Sequence, residues 1–114
     1  MSMLSRKMAP DLEDVCTLLL KTAEATPLNA RGIFEVFADA GLPPVVVNLV
    51  TTSTPQPIGE VFTDDPRISK LTFTGSTAVG RTLAAAAGAS LKRVSVELGG
   101  HAPFIVMPDA DPVH

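Results

Sequence analysis

Five short apolar runs, rich in β-branched residues, recur along this chain and are separated by segments with helical spacing. The runs at residues 16–21 and 45–50 are almost continuously apolar, which is typical of strands covered on both faces. Similar runs predict further strands at residues 70–74, 92–97 and 103–107.

Helix signals fill the intervals between these runs. Thr26 followed by Pro27 is a favourable helix start, because threonine can cap the first turn and proline fits the first helical position. This helix should end at Gly41, ahead of two prolines. A short helix is predicted over residues 58–62 and a longer one over residues 77–87.

Strands that alternate with helices indicate parallel β-α-β crossovers. The predicted fold class is therefore α/β, a partial doubly wound parallel sheet with helices on both faces. The length of 114 residues, the hydrophobic fraction of 46% and the mean hydropathy of +0.30 suit a folded, core-rich segment.

Composition narrows the possible partners. The net charge is only −3, the basic residues are scattered, and there is no Trp or Tyr to stack on bases, so nucleic acid is not expected as a partner. The longest apolar runs are far too short to span a bilayer, so no membrane partner is expected. A cytoplasmic location is the expectation, with a mitochondrial one left open.

Cys16 is the only cysteine, so intramolecular disulfides and multi-cysteine metal sites are not expected, and no metal ligands are assigned. Because it opens an apolar run, Cys16 is predicted to be a buried, inert residue rather than a nucleophile.

A glycine-serine-threonine turn is the first candidate for chemistry. Gly75, Ser76 and Thr77 lie between a predicted strand and a predicted helix start, where free amides and the helix dipole favour a phosphate. A plain capped turn without a ligand is an equally good interpretation. A P-loop is a third, because Gly75 and Gly80 have its spacing, but Arg81 stands where that motif needs lysine.

Two further candidates also lie at strand ends. Glu97, followed by Leu98 and two glycines, ends a strand beside the crevice where open parallel sheets bind ligands, and it could act as a general base for water. Lys21 and Glu24 follow the first strand and could hydrogen-bond ribose hydroxyls. For each, a solvated side chain at a strand end is the alternative.

Taken together, these motifs resemble the aldehyde dehydrogenase superfamily in their order and spacing, over residues 3–111. The run at 95–100, with Ala102 to Val106, is most similar to the succinate-semialdehyde dehydrogenases. The resemblance implies a Rossmann-like fold, a partial cofactor-binding domain at residues 1–100, and the start of a truncated catalytic domain at 101–114.

The same resemblance implies the role of each site residue. Lys21 and Glu24 would hold the adenosine ribose of NAD, with NADP disfavoured because the Glu24 carboxylate repels a 2′-phosphate. The pyrophosphate would lie against the turn and helix start, Leu98 beside the nicotinamide, and Glu97 would activate the water that hydrolyses a thioester. The residues assigned to the pyrophosphate are Gly75, Ser76, Thr77 and Gly80.

The chain departs from the family pattern at several positions. Thr22 stands where the family usually has proline, Val15 where it usually has glycine, and His101 where Lys, Asn, Leu or Met is usual. The family's nucleophilic cysteine and oxyanion asparagine would lie outside these 114 residues, so the segment alone is expected to be inactive.

Two hypotheses result. The first is a segment of a longer, homo-oligomeric enzyme that oxidises a small aldehyde, such as succinate semialdehyde. The second is a non-catalytic nucleotide-binding or interaction module.

Overall fold

The structure is a computed structural model that describes residues 2–111. Four helices alternate with four strands within this range, which confirms the predicted α/β class. In chain order the elements are α1 (Ser2–Glu13), β1 (Leu18–Lys21), α2 (Pro27–Asp39), β2 (Val47–Val50), α3 (Pro55–Asp64), β3 (Lys70–Gly75), α4 (Thr77–Ala89) and β4 (Arg93–Leu98).

The strands form two parallel pairs. β1 pairs with β2 in the register Leu18 to Val47, and β3 pairs with β4 in the register Lys70 to Arg93. Within the described residues no ladder joins one pair to the other, so the expected single sheet is present as two two-stranded sheets.

The predicted strand over residues 103–107 is wrong. Residues 101–107 have no regular structure, and Phe104 is 90% exposed. An apolar run becomes a strand only when another strand supplies its hydrogen bonds, and no strand within residues 2–111 does so. The four consecutive exposed apolar side chains are Phe104, Ile105, Val106 and Met107.

The predicted burial of Cys16 is also wrong, while its inertness stays a prediction. β1 begins two residues later, at Leu18, and the Cys16 thiol is exposed, with its sulfur 3.8 Å from the Asp14 carbonyl oxygen. The run becomes half-buried at Leu18, where the ladder with β2 begins, and Leu19 stays exposed within the strand. Cys16 instead belongs to the connection from α1.

Few side chains are fully buried. The buried apolar residues within residues 4–111 are Met8, Ala30, Leu71 and Ala87. The surface area is 8552 Å², against about 6,000 Å² for a compact monomer of this mass. The radius of gyration is 17.1 Å, against about 13 Å for a compact domain of this length. The segment therefore leaves open surface that a complete domain would cover.

α4 packs on one face of β3 and β4, and it also packs on α3. Leu71 and Val94 are paired in register, as are Phe73 and Val96, so their side chains share this apolar face. A hydrogen bond links the residues just before β3 and β4, since Lys92 Nζ donates to the carbonyl oxygen of Ile68 at 2.7 Å. The carboxyl ends, where the candidate site lies, are thereby aligned.

Two valines adopt the left-handed backbone conformation that favours glycine. Val15 has φ 58° and Val45 has φ 74°, and each precedes the strand of the β1–β2 pair that follows it. A β-branched side chain is strained in this region because its Cβ crowds the backbone. The left-handed φ at Val15 explains why glycine is usual at this position in the family that the sequence resembles.

Replacing Val45 by glycine is expected to raise the free energy of unfolding by about 1 kcal/mol, because relief of the strain exceeds the entropy that glycine adds to the unfolded chain. Val46→Gly is the matched control and should be destabilising, since Val46 has no such strain. Urea unfolding followed by circular dichroism measures both. A less stable Val45→Gly variant would show that the left-handed turn is not strained.

Candidate functional site

The candidate site residues lie at the carboxyl ends of parallel strands, where open α/β sheets bind ligands. Lys21 is the last residue of β1, Gly75 ends β3, and Leu98 ends β4. In the register of the second pair, Gly75 faces Leu98 and Thr74 faces Glu97. The structure thus brings the glycine-serine-threonine turn and the candidate base to one edge of the β3–β4 sheet.

The turn after β3 is a capped helix start. Ser76 is the N-cap of α4, and its Oγ accepts a hydrogen bond from the Val79 amide at 3.4 Å. The Gly80 amide donates to the Ser76 carbonyl, which leaves the amides of Thr77 and Ala78 as the first-turn donors without a helical acceptor. The Ser76 hydroxyl hydrogen is not used by this cap. These donors and the helix dipole suit a pyrophosphate.

Thr77 joins the two turns at this edge. Its Oγ1 lies 3.5 Å from the Gly99 carbonyl oxygen, to which it can donate across 22 residues of sequence. The hydroxyl therefore orients the double-glycine turn after β4, while the Thr77 backbone amide keeps its place among the first-turn donors.

Both glycines predicted to bind the cofactor have a packing reason to be glycine. A Cβ added at Gly75 would lie 2.6 Å from Cζ of Phe73, whose ring lies over it. A Cβ added at Gly80 would lie 2.2 Å from Cδ2 of Leu98, so Gly80 lets α4 approach β4 closely. The cofactor roles of Gly75 and Gly80 remain predictions.

Lys21 and Glu24 form an ion pair after β1. Lys21 Nζ donates to Glu24 Oε1, and this hydrogen bond lowers the pKa of the Glu24 carboxyl. The side chains retain 22% and 44% of their exposure, so both can reach a ligand. A carboxylate that stays ionised is an acceptor for ribose hydroxyls.

Thr22, at the position where the family usually has proline, is buried just after β1. It is 5% exposed, its amide donates to the Val50 carbonyl at 3.2 Å, and its Oγ1 makes no hydrogen bond within the described residues. The backbone bond extends the β1–β2 pairing by one residue beyond Lys21, which helps to fix the Lys21 side chain at the sheet edge.

Helix α1 brings two cations to Glu97 that the sequence analysis did not assign. A cavity of about 410 Å³ separates α1 from β3 and β4, and Arg6, Lys7 and Glu97 all contribute to its lining. Burial lowers the pKa of the Lys7 ammonium, and the Glu97 carboxylate opposes this shift. The spacing of Leu4, Met8 and Leu12 is a helical signal that could have predicted α1.

The structure describes neither a metal cluster nor a membrane span. Residues 2–111 contain no group of three or more His, Cys, Asp or Glu side chains that could hold a metal ion. None of the helices in this part of the chain has the length and apolar character needed to cross a membrane. His101 is exposed beyond the double glycine.

The family model for the aldehyde dehydrogenase family matches residues 1–114, and the chain belongs to that family. Among its relatives, it is 47% identical over 97% of its length to the mitochondrial succinate-semialdehyde dehydrogenase of Arabidopsis thaliana. It is 48% identical over 96% to a probable NADP(+) succinate-semialdehyde dehydrogenase of Sinorhizobium fredii and 47% identical over 96% to a glutarate-semialdehyde dehydrogenase of Pseudomonas aeruginosa.

A solved structure agrees with this assignment. The aldehyde dehydrogenase of Brucella melitensis biovar abortus superposes with a TM-score of 0.86 at 45% identity, covering 96% of this chain and 22% of that one. The chain spans only 21–23% of the length of the three curated relatives. The partial coverage fits the open core and the expectation of a segment.

Proposed function

We propose that this chain is part of a longer polypeptide that oxidises a small aldehyde carrying a second acidic group, with NAD as the hydride acceptor. The observation that carries this proposal is Glu97 at the carboxyl end of β4, in one cavity with the cations Arg6 and Lys7. The relatives named for succinate semialdehyde and glutarate semialdehyde support the substrate class.

The described residues fit a dinucleotide. The first-turn amides of α4 and the Ser76 hydroxyl suit the pyrophosphate, and the Lys21–Glu24 pair suits the ribose hydroxyls. When bound, NAD supplies the hydride acceptor. Leu98 is proposed to pack beside the nicotinamide at the edge of the sheet, and Gly75 to allow close approach of the ligand.

Glu97 is proposed to act on water. A cysteine supplied from outside this segment would form a thioester with the substrate acyl group, and the Glu97 carboxylate would take a proton from the water that hydrolyses it. The carboxylic acid product then leaves, the cysteine sulfur is regenerated as the thiolate, and the proton taken from water stays on Glu97. Neither the thiol nor an oxyanion asparagine lies in this segment, so turnover belongs to the longer polypeptide.

The domain assignment of residues 1–100 to the cofactor-binding domain and 101–114 to the catalytic domain also stays a proposal. The change from β4 to exposed, unpaired apolar chain at residues 101–107 supports a boundary near the double glycine. Homo-oligomerisation and a cytoplasmic or mitochondrial location are proposed from family membership.

The Arg6→Met substitution in the whole polypeptide tests the substrate class. We expect KM for succinate semialdehyde to rise about 10- to 100-fold, the equivalent of one hydrogen bond to a charged group, while KM for butanal is unchanged. Arg81→Met, on the exposed surface of α4, is the control. Equal losses for both aldehydes would refute recognition of the acidic group by Arg6, and no aldehyde oxidation at all would refute the proposed activity.

The Glu24→Gln substitution tests cofactor choice. It removes the charge that repels a 2′-phosphate and frees the Lys21 ammonium to attract one, so the ratio of NADP to NAD affinity should rise about tenfold. Calorimetric titration of each cofactor measures the two dissociation constants, with Glu35→Gln as a surface control. An unsubstituted protein that binds both cofactors equally would contradict the preference for NAD.

The second candidate is a nucleotide-binding module without turnover. The observation that favours it is that the proposed cofactor contacts lie within this segment, whereas the nucleophile does not. Saturable NAD binding by the 114-residue chain, in a source where no longer product occurs, would support this alternative.

A further inference from the structure

Gly80 has no free hydrogen-bond donor for a ligand. It is the fourth residue of α4 and is buried. Its amide already donates to the Ser76 carbonyl oxygen at 3.0 Å, so it is not one of the free donors of the first turn. The reason for a glycine at this position therefore lies in what the missing side chain makes room for.

The side chain of Leu98 fills that room. A Cβ built on Gly80 would overlap Cδ2 of Leu98 and would lie 3.1 Å from Cδ1, so no larger residue fits unless Leu98 moves. Leu98 is the last residue of β4, and this contact joins it directly to the backbone of α4. We call the space at Gly80 the notch of α4.

The end of β4 has little else to hold it. Within residues 2–111, β4 pairs with β3 alone, and the last pair in the ladder is Leu98 with Gly75, which has no side chain to pack against it. Ends of strands open more readily than their centres. A strand held by one ladder can rotate about its own axis at its end, and the notch supplies a second point of contact that prevents this rotation.

The orientation of Leu98 also sets that of Glu97. Successive side chains of a strand point to opposite faces of the sheet. Because Leu98 packs against α4, Glu97 is directed to the opposite face, where it lines a cavity with Arg6 and Lys7. If Leu98 left the notch, the rotation of the backbone would turn the Glu97 side chain with it.

Thr77 makes a second contact of the same kind. Its Oγ1 lies 3.5 Å from the Gly99 carbonyl oxygen and 3.7 Å from a Cβ built on Gly99. Thr77 and Gly80 are three residues apart in α4 and share one side of its first turn. This side of the helix therefore lies along two consecutive residues at the end of β4, Leu98 and Gly99.

We propose that Gly80 is a positioning residue for the general base, because its notch holds Leu98 and thereby orients the Glu97 carboxylate toward the water that hydrolyses the thioester. The inference rests on the proposed function, in which Glu97 is that base. Gly80 acts only through Leu98. The same turn of α4 carries the amides suited to the pyrophosphate, so one helix turn sets both the place of the cofactor and the direction of the base.

The first test is Gly80→Ala in the whole polypeptide. We expect the first turnover of NADH formation to remain and the steady phase to slow by about 10- to 100-fold, since a misplacement of about 1 Å can lower a rate by about 100-fold. The dissociation constant for NAD, measured by calorimetry, should not change. Gly88→Ala is the matched control, because nothing lies within 4 Å of a Cβ added there.

The second test is compensation at the notch. Leu98→Val removes the Cδ atoms that the new Cβ would meet, and together with Gly80→Ala it keeps the number of carbon atoms constant. We expect the double variant to recover most of the steady rate. Leu98→Val alone leaves Gly80 in place and the notch partly empty, so it should slow the same phase by a smaller factor, even if Gly80→Ala does not fold.

Three results would contradict these expectations in different ways. A full steady rate in Leu98→Val would overturn the positioning role of Gly80. A weaker affinity of Gly80→Ala for NAD that Leu98→Val does not restore would also overturn it, and would assign Gly80 to the pyrophosphate. An unsubstituted polypeptide that oxidises no aldehyde would overturn the proposed function instead.

The contact itself is tested without activity. The urea midpoints of the unsubstituted polypeptide, the two single variants and the double variant form a double-mutant cycle. The double variant should unfold at a higher urea concentration than Gly80→Ala. Midpoint changes that simply add would show that the two side chains do not meet, and the positioning role would be refuted.

Discussion

Replacing Glu97 by glutamine in the whole polypeptide is expected to leave the first turnover of NADH formation intact and to slow the following steady phase by about 100- to 1,000-fold. Glutamine keeps the size of the side chain but cannot take a proton from water, and a positioned base commonly contributes 10²- to 10⁴-fold. Stopped-flow absorbance of NADH separates the burst from the steady phase.

The matched control for this substitution is Glu35→Gln. Glu35 pairs with Arg31 on the exposed surface of α2, at 2.9 Å, and has no proposed part in the reaction. Its variant should keep both phases. If the Glu97 variant loses the burst along with the steady phase, the residue is needed for an earlier step, and its assignment as the base for hydrolysis is wrong.

The largest expected change in stability follows from Gly80→Val. The new Cβ would meet Leu98 Cδ2 at 2.2 Å and Leu98 Cγ at 3.2 Å, so α4 or Leu98 must move. Overpacking of this kind lowers the free energy of unfolding by about 1–3 kcal/mol. Valine has a lower helix propensity than alanine, so it offsets less of this loss than alanine would. Urea unfolding followed by far-ultraviolet circular dichroism suits a chain without Trp or Tyr.

Gly88→Ala in the same helix should instead raise the free energy of unfolding. Nothing lies within 4 Å of a Cβ added there, so the helix gains about 1 kcal/mol from the better propensity of alanine. The Leu98→Ala substitution should offset part of the Gly80→Val loss because it removes the colliding atoms. If Gly80→Val and Gly88→Ala had equal effects, the close approach of α4 to β4 would not be a constraint.

Turn and cap residues at the element boundaries made the β3–α4–β4 unit predictable. Gly75 and Ser76 mark the change from strand to helix, and the observed bounds of β3, α4 and β4 lie within two residues of those expected. The predicted start of β2 at Val45 is wrong: the strand begins at Val47, because Val45 lies in a left-handed turn before it. An apolar pattern does not report φ.

The missed features depend on tertiary structure. α1 contains Pro10, which argues against a helix, although the apolar spacing through Met8 favours one. Arg6 and Lys7 precede Glu97 by about 90 residues, so only the tertiary placement of α1 beside β4 brings them to one cavity. Two further predictions failed because an apolar run does not show whether a partner strand is present. They are the burial of Cys16 and the strand over residues 103–107.

The division into two parallel pairs also concerns how the segment folds. The β1-α2-β2 unit spans Leu18 to Val50, and the β3-α4-β4 unit spans Lys70 to Leu98, so each ladder closes a loop of about 30 residues. Contacts this local form quickly, and no ladder within residues 2–111 makes one unit wait for the other. Each pair can therefore form without waiting for the other.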